Sequence, residues 1–248
     1  MAFAVHVPES VDEAVAAMGE GRWLLAGGTS MMPWINNHSV AAEGLVSLRR
    51  AGLSGIQRDG DAVTIGAATT LAQVGRELPF LHDAIESIAS PTIRNLATVG
   101  GNLFVPAPHG DFAVCLLALD AQATIVDGDG SRTIGVADLE RGPLVTSVSF
   151  SIPEQWFYTK AMRRKQNSAS IVTVASDGVR IALGGVSPRP IRALAAEAAL
   201  AGTIDREHVE AAAAAAVQDA DPFDDAYASA WYRRRVLPVH VRRALLGE

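Results

Sequence analysis

Two short glycine-rich stretches carry the chemistry most able to hold a ligand: Ala26-Gly27-Gly28-Thr29-Ser30 and, far along the chain, Thr98-Val99-Gly100-Gly101-Asn102. Glycine reaches positive φ without strain and has no Cβ to block a ligand's approach. Successive backbone N–H groups in such bends form a concavity for an anion, and Thr29, Ser30, Thr98 and Asn102 add side-chain donors. Either stretch alone reads as an ordinary loop. Two of them converging from distant positions would enclose a pyrophosphate without any arginine or lysine.

Other chemistries find less support. Neither stretch is a Gly-x-x-x-x-Gly-Lys-Ser/Thr phosphate loop or a Gly-x-Gly-x-x-Gly dinucleotide fingerprint. His6, His38, His82, His109, His208 and His240 show no zinc-ligand spacing with Cys or Glu, so each reads as structural or exposed. There is no Gly-x-Ser-x-Gly elbow to raise a serine nucleophile. Cys115, the lone cysteine, excludes an internal disulfide framework and a four-thiolate iron–sulfur cluster in this chain. Within its apolar run it reads as a packing thiol. Asp111 starts that run and reads either as a capping carboxylate or as an acceptor for a ribityl or ribose hydroxyl.

The elements that must position these residues follow from periodicity and punctuation. Val5–Pro8 reads as a short strand; Ser10 and Glu13 have capping-box spacing before a helix through Met18, which Gly19 and Gly21 stop. Trp23–Ala26 and Gly44–Leu48 are further strands, so the opening is a small mixed or parallel sheet. A second unit begins near Leu53. It has a strand at Val63–Ala67, helices at Thr70–Arg76 and His82–Ala89, a helix or strand at Val114–Leu119, and a strand at Ala123–Val126 closed by Asp127-Gly128-Asp129-Gly130. Around Pro153 the character changes. Asp177-Gly178 between two β-rich runs predicts a hairpin, and Ala193–Ala201, Glu207–Val217 and Pro238–Leu246 predict helices.

With 248 residues, of which 49% are apolar and 19% charged, the chain is globular and holds one large domain or two modest ones. A net charge of −6 disfavours nucleic acid, whose phosphates need a basic face. The basic runs Arg233-Arg234-Arg235 and Arg242-Arg243 read as a solvated or partner-facing helix. No secretory signal opens the sequence and no apolar run is long enough to span a bilayer, so a soluble, cytoplasmic protein without a membrane span is expected.

In order, Leu24–Ser30, Ile65–Thr70 and Ile93–Leu103 resemble the FAD-binding middle subunit of molybdenum hydroxylases, the xanthine dehydrogenase and aerobic carbon monoxide dehydrogenase family. The resemblance continues through Asp111, Leu116–Ala121, Tyr158-Thr159-Lys160, Arg163-Arg164, Ala182–Val186, Glu197–Gly202 and Tyr232 to Leu245, nearly the whole chain. It implies an α+β fold: a vanillyl-alcohol-oxidase-like FAD-binding domain over residues 1–153, in subdomains 1–52 and 53–153, then an antiparallel-sheet-plus-helices domain over 154–248. Carried over residue by residue, it assigns the FAD diphosphate to Leu24, Leu25, Ala26, Gly27, Gly28, Thr29, Ser30 and Met31 and to Thr98, Val99, Gly100, Gly101 and Asn102. Ile88, Asp111, Leu144 and Lys160 occupy further family contact positions. The chain departs from the family at Pro33–Asn36, where a basic residue is common, and at Asn167 and Ser168, where an Asp often follows the Arg pair.

By the same resemblance the chain is the FAD-carrying component of an oxidoreductase. An iron–sulfur small subunit and a molybdopterin large subunit are expected as partners in a dimer of heterotrimers, those cofactors lying on the partners. No residue of this chain is expected to act as a general base. A stand-alone FAD-dependent oxidase or reductase of the same fold is the alternative.

Overall fold

The computed structural model describes residues 4–164 and 168–248, so Asn167 lies outside the described residues. The first layer alternates β1 (Ala4–His6), α1 (Val11–Ala17), β2 (Arg22–Leu25), α2 (Met31–Asn36) and β3 (Gly44–Ser47). Its sheet has the order β1-β3-β2 and both pairings are parallel, which settles the mixed-or-parallel alternative. Ser10 caps α1 by accepting the Glu13 N–H at 3.1 Å, and the Glu13 carboxylate returns to the Glu9 N–H at 2.8 Å. Ala14, Leu48, Ala51 and Leu53 form a small core that Leu144 completes from much later in the chain.

The second layer is a five-stranded antiparallel sheet, order β4-β5-β8-β6-β7. Chain order places β4 (Ile56–Asp59), β5 (Ala62–Gly66), α3 (Leu71–Glu77), α4 (His82–Glu86), α5 (Pro91–Arg94), α6 (Val99–Leu103), α7 (Asp111–Ala118), β6 (Gln122–Asp127), β7 (Gly130–Gly135) and β8 (Leu144–Ser151). The run around Cys115 is a helix, and all of α7 is buried. A wholly apolar segment has no solvent face, so its periodicity carries no sign of helix or strand. The helix expected over His82–Ala89 stops at Glu86, and Ala89 takes a left-handed φ of 46°.

The third layer is a four-stranded antiparallel sheet, order β12-β11-β10-β9, covered by three helices. Its elements are β9 (Phe157–Met162), β10 (Ser170–Ser176), β11 (Ile181–Gly184), β12 (Ile191–Arg192), α8 (Leu194–Leu200), α9 (Arg206–Asp219) and α10 (Ala230–Leu246). The Asp-Gly hairpin joins β10 to β11 as expected. The last helix begins well before Pro238, which lies inside it.

The expectation of a solvated basic helix fails at Arg233. It is fully buried, and its guanidinium donates to the carbonyls of Ser170 (3.0 Å), Ile171 (2.6 Å) and Gly185 (2.6 Å) and to the Asp225 carboxylate (2.6 Å). A buried cation persists only when paired and hydrogen-bonded, and this one has both. Composition reports a run of arginines; only packing decides which one turns inward.

Candidate functional site

The strand β2 delivers Leu24 and Leu25 to the first glycine bend. Gly27 packs so closely on the second bend that a Cβ there would lie 1.9 Å from the Leu96 carbonyl oxygen. Gly28 follows with φ +71°, a conformation that side-chain-bearing residues disfavour. Among the described residues, the N–H groups of Gly27, Gly28, Thr29 and Ser30 have no protein acceptor. Four adjacent unpaired amides in a half-buried bend are a standing demand for an anion.

The second stretch is built differently from its sequence reading. Its glycines lie in the short helix α6 rather than in an open turn, because Thr98 caps it by accepting the Gly101 N–H at 3.2 Å. The Val99 N–H donates to Thr69 O (3.0 Å) and that of Gly100 to Ala67 O (2.8 Å). The Ile65–Thr70 motif therefore acts as the scaffold of α6, fastened in turn by Thr69 Oγ1 to Gly55 O at 3.0 Å. A Cβ on Gly100 would meet Ala67 Cβ at 2.9 Å, whereas one on Gly101 would meet only Thr98 Oγ1 at 3.0 Å and Ala26 Cβ at 3.9 Å. Gly27 thus serves the contact between bends, Gly100 the contact of α6 with its Ala67 scaffold, and Gly101 keeps the space between the bends open.

Both stretches line one cavity of about 930 Å³, near the upper end of the ~300–1,000 Å³ usual for ligand pockets. Of the residues singled out in the sequence, Leu24, Ala26, Gly27, Gly28, Thr29, Ser30, Met31, Ile88, Thr98, Gly100, Gly101, Asn102, Asp111, Leu144 and Lys160 line it. Leu25 and Val99 do not; Val99 is fully buried in the main core. Asn102 uses its side-chain oxygen to accept the Ala113 N–H at 3.3 Å, which ties α6 to α7. Leu144, 1% exposed, opens β8 and forms apolar wall.

Asp111 and Lys160 form a buried ion pair on the cavity wall, their side chains 6% and 3% exposed. Lys160 Nζ donates to Asp111 Oδ2 at 2.8 Å and to Ser87 O at 2.9 Å. Asp111 Oδ1 accepts from Thr173 Oγ1 at 2.6 Å and also from Ser170 Oγ. Gly110 holds the cap position of α7, so Asp111 is not the capping residue; its oxygens are taken by Lys160, Ser170 and Thr173. Beside the pair, burial and then the Asp111 charge push the Tyr158 phenol well above its ordinary value, and its hydroxyl meets Ser87 Oγ at 2.8 Å.

Sequence reasoning did not assign roles to several residues that shape this wall. Arg94 is buried and donates to the carbonyls of Glu86 (3.3 Å), Ile88 (2.9 Å) and Ala89 (3.2 Å), fixing the bend that presents Ile88 and Ala89. Ser170 and Thr173 stand on the fully buried strand β10. Hydroxyls inside such an apolar run were a readable sign of a buried polar partner. His109 also lines the cavity; desolvation holds its pKa below the ordinary 6.5, against an opposing pull from Asp111. Tyr227, from the segment before α10, completes the wall.

An FAD molecule fits this donor set. The unpaired amides suit a diphosphate, the apolar walls suit planar rings, and the cavity volume accommodates an extended ligand. Among the described residues no group of His, Cys, Asp and Glu could hold a metal ion, and no helix is long and apolar enough to cross a membrane.

Residues 1–151 match the family model of the FAD binding domain in molybdopterin dehydrogenase, and residues 156–247 match that of the CO dehydrogenase flavoprotein C-terminal domain. The chain belongs to this family of flavoprotein subunits of molybdenum hydroxylases. It is 30% identical to the carbon monoxide dehydrogenase medium chain of Hydrogenophaga pseudoflava, over 98% of this chain and 96% of that one. It is 32% identical to the 6-hydroxypseudooxynicotine dehydrogenase complex subunit alpha of Paenarthrobacter nicotinovorans, over 96% and 92%. The reconstituted CO dehydrogenase from Oligotropha carboxidovorans superposes with a TM-score of 0.91 at 29% identity, covering 99% of this chain and 97% of that chain.

Proposed function

We propose that this chain is the FAD-carrying electron-transfer subunit of a multi-subunit molybdenum hydroxylase, taking electrons from an iron–sulfur partner and passing them to an external acceptor. The observation that carries the reading is the row of unpaired amides from Gly27 to Ser30 in a cavity that a family-specific second motif helps to wall. Bound FAD supplies one- and two-electron chemistry, and the protein supplies binding, orientation and electrostatics. In this reading Gly27–Ser30 hold the diphosphate, and Leu24, Ile88 and Leu144 exclude water from the ring systems. Gly101 leaves the passage between the bends, and the Asp111–Lys160 pair sets an oriented dipole in the wall. The dehydrogenase chemistry on substrate belongs to a molybdopterin large subunit. A division into FAD-binding (1–153) and C-terminal (154–248) domains, a dimer of heterotrimers and a cytoplasmic location belong to the same proposal.

Purification of the native assembly tests it. Iron, molybdenum and flavin arriving with two further chains support the reading; a yellow monomer that itself oxidises a small molecule supports the stand-alone enzyme and refutes it. For the site, Gly101→Val is the informative substitution, because a Cβ there points into the gap between the bends and meets only the side-chain atoms Thr98 Oγ1 at 3.0 Å and Ala26 Cβ at 3.9 Å outside its own helix. The expected outcome is a folded protein that purifies without flavin bands, and full retention of FAD would sink the assignment.

A further inference from the structure

The cavity wall contains an aromatic pair that neither glycine motif accounts for. His109 and Tyr227 meet edge to face, their ring centroids 6.0 Å apart at 87°, and both line the cavity. In that arrangement neither ring covers the other face to face, and Tyr227 remains 36% exposed. The turn that carries Tyr227 is fastened on three sides. Asp225 Oδ1 accepts the N–H groups of Tyr227 (2.8 Å) and Ala228 (2.9 Å); the buried Arg233 grips the same carboxylate at 2.6 Å; Arg163 Nη1 donates to Ala226 O at 3.1 Å. Arg233 also holds the carbonyl of Ser170, whose hydroxyl serves Asp111. One buried guanidinium therefore fixes both the Tyr227 turn and the strand behind the Asp111–Lys160 pair.

The backbone that carries Tyr227 is fixed before any ligand arrives, and the ring leans edge-on against His109. An aromatic face carried on a pre-ordered turn favours the stacking of a planar group, since part of the ordering cost is then met on folding rather than on binding. The buried Asp111–Lys160 pair, whose two charges both act on His109, adds a fixed dipole at the same end of the cavity. Resting on the function proposed above, we infer that the His109–Tyr227 pair is the stacking wall for the isoalloxazine of FAD, with Arg233 and Asp225 as its positioning residues.

The test uses the full chain, in its assembly where partners co-purify, with FAD itself as the probe. Affinity is measured by titration into deflavinated protein, and emission of the bound flavin is measured per unit of its visible absorbance. Tyrosine in contact with an excited isoalloxazine quenches it by donating an electron, and phenylalanine stacks equally well without doing so. Tyr227→Phe is expected to keep FAD affinity within about twofold while the bound flavin brightens several-fold. Tyr227→Leu is expected to brighten it similarly and to weaken binding about tenfold, equivalent to about 1.4 kcal/mol. Asp225→Asn, which loosens the turn, is expected to give a partial increase in emission. Unchanged emission in both Tyr227 variants overturns the inference while leaving FAD binding intact. A loss of affinity without brightening overturns it too, by assigning the wall to adenine. Wild-type protein that binds no FAD overturns the functional reading and this inference together.

Discussion

Replacing Lys160 by methionine keeps most of the side-chain volume and deletes its charge. Both members of the pair are more than nine-tenths buried, so the Asp111 carboxylate is left with only the Ser170 and Thr173 hydroxyls. Breaking one side of a buried pair costs about 3–5 kcal/mol, because an uncompensated charge stays in the interior. At roughly 2–4 °C per kcal/mol for a chain of this size, Tm should fall by about 6–20 °C. Asp111→Leu should cost a similar amount, since it strands the Lys160 ammonium with Ser87 O alone. The double variant removes both charges and leaves Thr173 Oγ1 donating to Ser170 Oγ at 2.9 Å, so it should recover more than half of the summed loss. Equilibrium unfolding of the four proteins gives the coupling energy directly. Additive effects, or single variants within about 1 kcal/mol of wild type, would refute the view that this pair is a coupled unit of the cavity wall.

Three further expectations follow from the same structure. Gly27→Ala places a Cβ against the Leu96 carbonyl and should destabilise the fold by about 3 kcal/mol or more, whereas Gly28→Ala meets only Leu25 and Met32 at 3.4 Å and should cost about 1 kcal/mol, mostly strain at positive φ; denaturant midpoints separate the two. His109 has its folded pKa below the ordinary 6.5, so as pH falls below about 6.5 the unfolded chain takes up the proton first and stability declines, while above that value the contribution is complete. His109→Gln should flatten this slope in part, His240 supplying the remainder with the same sign, and an unchanged slope would count against it. Cys115 is fully buried and its thiol is pushed far above the ordinary range, chiefly by desolvation, so a thiol reagent should leave the native protein untouched and titrate one group once it is unfolded.

Local chemistry made much of this protein legible in its sequence. Strand β2 running into Gly27-Gly28, the Ser10 cap and the Asp177-Gly178 hairpin rest on contacts between residues close in sequence, and such contacts leave signatures at fixed spacing. The two glycine stretches were legible as ligand-binding candidates for the same reason, and their order along the chain carried the family resemblance. The tertiary structure alone decided what each glycine is for: Gly27 and Gly100 touch backbone from another segment, and the amides of Val99 and Gly100 are consumed by Thr69 and Ala67. It alone joined Asp111 to Lys160, Ser170 and Thr173, and turned Arg233 inward rather than out to solvent. Those choices depend on which distant segments are desolvated together. Desolvation is a property of three-dimensional packing, and no spacing along the chain records it.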